Sequence, residues 1–176
     1  MEKSSVLKYS RTMRALHWLL AFLLIALLIA GMVMVNSTDD ATKFAIVQIH
    51  APLGILAGLL LLVRIFFAFR HPRPAPDPNW SPMVKWGSKI VHILLYILPL
   101  ALVSTGIGTM VLSGLGPMLQ SGNLGPWPDM SIVPPAQGHS LFAKLFMASL
   151  VLHIAGAIYH QWIIKDNLIG RMMPGK

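Results

Sequence analysis

The chain has 176 residues, 55% apolar and only 11% charged, against about 25% charged in soluble domains; an ordinary water-facing globule is excluded, and one all-α integral membrane domain over 1–176 is expected. The absence of cysteine excludes disulfides, thiolate metal sites, iron–sulfur clusters and covalently attached haem. A net charge of +8 fits the basic flanks of membrane helices better than nucleic-acid binding.

Taken in chain order, four apolar stretches are each long enough to cross the roughly 30 Å hydrocarbon layer. The first, about residues 15–35, follows Lys3, Lys8, Arg11 and Arg14 and carries His17. It is too long for a signal-peptide core and no small-residue cleavage site follows it, so its retention is expected. After "NSTDD" comes the second, about 44–69, with His50, Gly54, Gly58 and Arg64. The proline-stiffened "HPRPAPDPNWSP" (71–82) separates it from the third, about 90–112, whose start extends towards Met83 and which carries His92. The segment 113–138 is long, rich in Gly and Pro, and free of Lys and Arg; it reads as a lid or as a surface for a protein partner. The fourth stretch, about 141–164, has His139 just before it and His153 and His160 within it. Together they predict a four-helix membrane bundle.

Twelve of the 14 basic residues fall at the termini or around the second connection, leaving Lys43 and Lys144 for the other side. That bias predicts both termini in the cytoplasm. His50 and His139 then lie near the outer ends of their helices, and His17, His92 and His160 near the inner ends. His153 follows His139 by 14 residues, about 21 Å along a helix and within about 40° of the same direction. His160 comes seven residues later on the same face. His71 reads as a solvated loop residue, Trp18, Trp86 and Trp162 as interfacial belting, and the methionines as packing.

Imidazoles in hydrocarbon face the bundle interior. Couples of them at two depths, with no carboxylate or thiolate nearby, suit the axial positions of two b haems. His50 and His139 are the outer candidates. For the inner couple His153 is favoured by its step from His139, with His17 the first choice of partner and His92 the second; His160 also competes. Gly31 and Gly106 follow His17 and His92 by 14 residues and offer side-chain-free gaps at the outer level. Gly54 and Gly58, one and two turns below His50, suit helix packing or the approach of a flat group. Arg64 reads as a snorkelling anchor, or as a contact for a haem propionate.

"SRTMRALHWLL", "IHAPLGILAGLLLLVRI", "HILLYILPLALVSTG" and "GHSLFAKLFMASLVLHIAGAIYHQWIIKDNLIGRMMP" resemble the bacterial cytochrome b561 family over nearly the whole chain. The resemblance implies a four-helix di-haem b protein of the bacterial inner membrane, similar to the cytochrome b subunits of nickel–iron hydrogenases and formate dehydrogenases. It implies His50 and His139 as ligands of the periplasmic-side haem, His17 and His153 as ligands of the cytoplasmic-side haem, and His160 beside a ubiquinone pocket. The activity implied is superoxide oxidation, with electrons passing from superoxide through two haems to ubiquinone. Against Asp39, Asp40 and Asp129 the outer connections hold only Lys43 and Lys144, which gives an anionic donor no steering. Two other expectations are a haem subunit docking a periplasmic hydrogenase or dehydrogenase through 113–138, and a proton or metal transporter using the histidines as a relay.

Overall fold

The computed structural model describes residues 8–75, 77–78, 80–122 and 125–173. Among the described residues the protein is all-helical, 81% helix, with no strand. Four helices are long and apolar enough to cross a membrane: α1 (Arg11–Asn36), α2 (Asp40–Arg70), α3 (Pro82–Leu112) and α5 (Pro134–Tyr159), the last prolonged by a π-turn over His160–Ile164. The short α4 (Leu115–Ser121) lies between α3 and α5. Consecutive long helices are joined at alternate ends, so the starts of α1 and α3 and the ends of α2 and α5 share one end of the bundle with both chain termini.

Polar residues set the helix starts. Ser10 Oγ accepts from Met13 N at 3.3 Å, Asp39 accepts from Ala41 and Thr42 N, and Ser81 accepts from Val84 N. Each satisfies donors that a first turn leaves open. Proline begins α3 and α5, where its missing N–H costs nothing. Inside the membrane, Pro52 and Pro99 interrupt α2 and α3; neither can donate to the carbonyl four residues back, at Gln48 and Leu95.

The bundle is two hairpins. α1 packs along α2, and α3 packs along α5, whereas α2 and α3 meet less and α1 and α5 hardly touch. On α1 the buried residues Met13, Leu20 and Leu27 recur every seven positions, a spacing that keeps one face on a neighbour. On α2, Ala57, Leu61, Arg64 and Ala68 form a buried stripe at steps of three and four. Close approach of α2 to α3 is made at Gly58, where an added Cβ would lie 2.9 Å from Val103 Cγ2; small residues let membrane helices come together. Gly54, one turn away, faces open space, with nothing within 4 Å of its would-be Cβ.

The segment 113–138 is folded onto the bundle. It contains α4, whose Leu115 is buried, a 3-10 turn at Met130–Ile132, and the first turn of α5. Its anchor is Trp127. The Trp127 backbone N–H donates to Asp40 Oδ2 at 2.9 Å, its ring meets Phe44 edge-on at 5.1 Å, and Lys43 Nζ sits 5.7 Å over it. Lys43 in turn pairs with Asp40 at 2.9 Å. At the other end, the C-terminal segment crosses the base of α1: Arg14 donates to the Met173 carbonyl at 2.6 Å and Trp18 Nε1 to the Met172 carbonyl at 2.9 Å. Trp18, expected as interfacial belting, is thus also a clasp.

Candidate functional site: paired histidines along the seam

The seam between the two hairpins is where the histidines meet. At the end away from the termini, the rings of His50 (α2) and His139 (α5) have centres 6.3 Å apart. At the termini end, His17 (α1) and His153 (α5) have centres 6.2 Å apart. Each couple draws one residue from each hairpin. Fourteen residues of α5 separate the levels, about 21 Å along its axis.

The spacing within each couple has a chemical meaning. Hydrogen-bonded imidazoles would bring a nitrogen of each ring within about 3 Å, yet no hydrogen bond is recorded within either couple. An imidazole nitrogen lies about 2 Å from a bound transition metal, with the ring centre roughly 1 Å behind it, so two rings on opposite sides of one metal have centres roughly 6 Å apart. Both couples meet that requirement. The residues present therefore fit a metal held between opposed imidazoles, as in a bis-histidine haem.

The surroundings of the outer couple support the same use. His139 Nδ1 lies 3.0 Å from the Leu102 carbonyl and 3.2 Å from Thr105 Oγ1. A ring N–H spent on a carbonyl fixes the tautomer and leaves Nε2 as the ligating nitrogen. Room beside the rings comes from glycine. A Cβ on Gly106 would meet His139 Cε1 at 3.3 Å, and one on Gly31 would meet His50 Cε1 at 3.6 Å. The two gaps expected at the outer level thus border the outer couple, and Gly54 leaves space one turn below His50. Gly58, by contrast, is spent on packing. His50 Nδ1 is buried without a partner among the described residues.

At the inner level three rings converge. His92 also reaches His153, with centres 5.2 Å apart at 86°, about 1 Å too close for two rings flanking one metal. His92 Nδ1 is 2.6 Å from the carbonyl of Ser88 on its own helix. By ring spacing His17, the first choice from the sequence, is the better-spaced partner of His153. Arg64 lies at this level with 9% exposure; its Nη1 donates to the Met13 carbonyl at 2.6 Å, one turn before His17, which spends one of five guanidinium donors.

His160 ends the regular part of α5 and opens the π-turn. Its ring packs on Trp80 with centres 4.5 Å apart, and its Nδ1 is 2.7 Å from Asp166 Oδ2. Trp80 Nε1 donates to the same oxygen at 3.0 Å. Asp166 lies in the closing "KDN" that carries part of the family resemblance, but nothing in the sequence signals its contact with His160, or that of Trp80: they reach His160 through a left-handed turn at Lys165 and Asn167 and from a loop 80 residues away in the chain. His71 stacks on Phe67 at 5.4 Å, away from both couples.

The prokaryotic cytochrome b561 family model matches residues 8–175. The chain belongs to that family. It is 29% identical over 175 residues to cytochrome b561 homolog 1 of Escherichia coli (strain K12), covering 95% of this chain and 97% of that protein. It is 28% identical over 173 residues to the probable superoxide oxidase CybB of Yersinia pestis, with 96% and 97% covered. Cytochrome b562 of Cereibacter sphaeroides is 28% identical over 173 residues, with 94% of each chain covered. The protein is therefore a multi-pass membrane cytochrome of electron transport, placed in the bacterial inner membrane. Membership of the family implies haem b as its cofactor.

Proposed function

We propose that this cytochrome is an oxidoreductase carrying electrons from periplasmic superoxide, through two b haems, to ubiquinone, with both termini in the cytoplasm. The observation that carries the reading is the pair of histidine couples at 6.3 and 6.2 Å on one seam. His50 and His139 would be the axial ligands near the periplasm, and His17 and His153 those near the cytoplasm. When bound, haem b supplies the one-electron chemistry, and the protein supplies ligation, spacing and electrostatics.

The residues have distinct tasks. Leu102 and Thr105 hold the His139 ring in one orientation. Gly31 and Gly106 keep the outer level open beside the rings. Arg64 places a buried cation at the inner level, where it favours anionic groups such as propionates. At the outer end the acidic residues are largely committed: Asp40 is paired with Lys43, and Asp39 and Asp129 cap helical starts. A helix N-terminus offsets part of a capping carboxylate's charge, so the outer face repels an anion less than the residue count alone suggests. The relative named a probable superoxide oxidase supports this donor.

Reading the protein as a docking subunit gains less support, because segment 113–138 spends Trp127 on its own α2. The relay transporter has no support from a family of cytochromes. The deciding experiment mixes the purified oxidised protein with a superoxide source and follows haem absorbance, then adds a short-chain ubiquinone. Reduction by superoxide and reoxidation by quinone are expected. Haem that stays oxidised while superoxide decays at its background rate rejects the donor.

A further inference from the structure

At the termini end, where α5 passes into its π-turn, a cavity of about 510 Å³ opens between α5 and the start of α3. That volume is within the range of small-molecule sites, roughly 300–1,000 Å³. Asp166 is in its wall. The side chain is only 6% exposed, and that of His160 9%. Asp166 Oδ2 takes both hydrogen bonds, from Trp80 Nε1 and at His160 Nδ1, while Oδ1 is buried with no partner among the described residues. A buried carboxyl oxygen without a partner is costly. The residue lines a cavity that a ligand can fill, and a turn of its carboxyl towards that ligand would offer a protonated oxygen as a donor. The other ionisable groups lining the cavity are Asp77, Tyr159 and Lys165.

We propose that Asp166 hands protons to the carbonyl oxygens of a quinone in this cavity, with His160 recharging it and Trp80 Nε1 holding the resting carboxyl against His160. The proposal rests on the quinone-acceptor reading above and names the residue that completes it. Reducing one quinone to quinol takes two electrons and two protons. Two superoxide anions supply the electrons and leave as two dioxygen molecules; the protons come from water at this end. At each transfer a carboxyl O–H bond of Asp166 breaks and an O–H bond forms on the quinone oxygen. The carboxylate left behind takes the Nδ1 proton of a cationic His160 at Oδ2, the imidazole regains a proton from water, and a half-turn of the carboxyl brings the new O–H to the quinone for the second transfer.

The test uses the full chain in detergent, its haems reduced with dithionite and freed of excess reductant, then mixed anaerobically with a short-chain ubiquinone. Asp166→Asn keeps the size and a hydrogen-bond acceptor but cannot donate a carboxyl proton. It is expected to keep the wild-type haem content and spectrum and wild-type reduction by superoxide, while reoxidation by quinone slows about 10²-fold, the scale of a lost general acid. Asp166→Glu is expected to restore most of the rate. A protonated-carboxyl band in the infrared difference spectrum recorded on quinone addition should be present in the wild type and absent from Asp166→Asn. If Asp166→Asn loses its pigment, His160→Gln carries the test with the same expected slowing. Wild-type reoxidation rates in these variants, or an unchanged carboxyl band, overturn the proposal alone. Wild-type haem that ubiquinone does not reoxidise overturns the acceptor reading beneath it.

Discussion

His139 is held by the Leu102 carbonyl and by Thr105 Oγ1, and the second of these can be removed without touching a ligand. Thr105 Oγ1 already donates to the Ala101 carbonyl at 2.7 Å, so its part towards His139 is to accept. Losing an acceptor makes the imidazole a weaker donor to ferric iron. Thr105→Val should therefore raise the midpoint potential of one haem, by up to about 59 mV, a tenfold change in a one-electron equilibrium, with haem content unchanged by redox titration. His50→Ala or His139→Ala should lose one haem of two by pigment counting per chain; loss of both in a folded protein would contradict two independent levels. At Gly58 the would-be Cβ is 2.9 Å from Val103, so Gly58→Ala should overpack the α2–α3 contact by about 1–3 kcal/mol, read as a lower temperature of haem release. The couples themselves were legible in the chain, because 1.5 Å per residue and 3.6 residues per turn convert spacing into depth and direction. Between His17 and His92 the chain gave only an order of preference, His17 first; the ring-to-ring distances to His153, 6.2 and 5.2 Å, are set by packing.

Where helices end, local hydrogen bonding decides the shape. The sequence reads 113–138 as a lid or a partner surface, and polarity and Gly/Pro content cannot say which surface such a segment meets. Its attachment to α2 is made by one backbone N–H and one ring at Trp127, far from Asp40 in the chain. Trp127→Ala should leave haem content intact and speed proteolysis between α4 and α5. Hydrogen bonds from the Thr42 hydroxyl and backbone hold the Asp39 carboxyl below its ordinary range, as those from the Ser131 hydroxyl and backbone do for Asp129. A lowered folded-state value means these caps stabilise fully above the unfolded value of about 3.9 and are lost as pH falls through the folded one. Protection of the outer segment from an acid-active protease should accordingly be flat above about pH 5 and fall below about pH 4. At the far end of α5 the π-turn, unreadable from composition, redirects the residues after His160 and brings Asp166 back against its ring.

For the molecule as a whole, apolar content already pointed to a membrane bundle, and the absence of cysteine left histidine as the main candidate ligand. What they could not specify is how the helices divide. α1 leans on α2 and α3 on α5, and each histidine couple bridges the divide rather than lying within a hairpin. If the couples hold haem as proposed, a group that belongs to neither half adds to the α2–α3 contact that joins them. Two polypeptides, broken within the connection after α2 and coexpressed, should each insert on their own and combine into a coloured dimer only where porphyrin synthesis is running. In cells starved of the pigment they should drift apart in the bilayer, so that the prosthetic group acts as the weld of the architecture as well as its conductor.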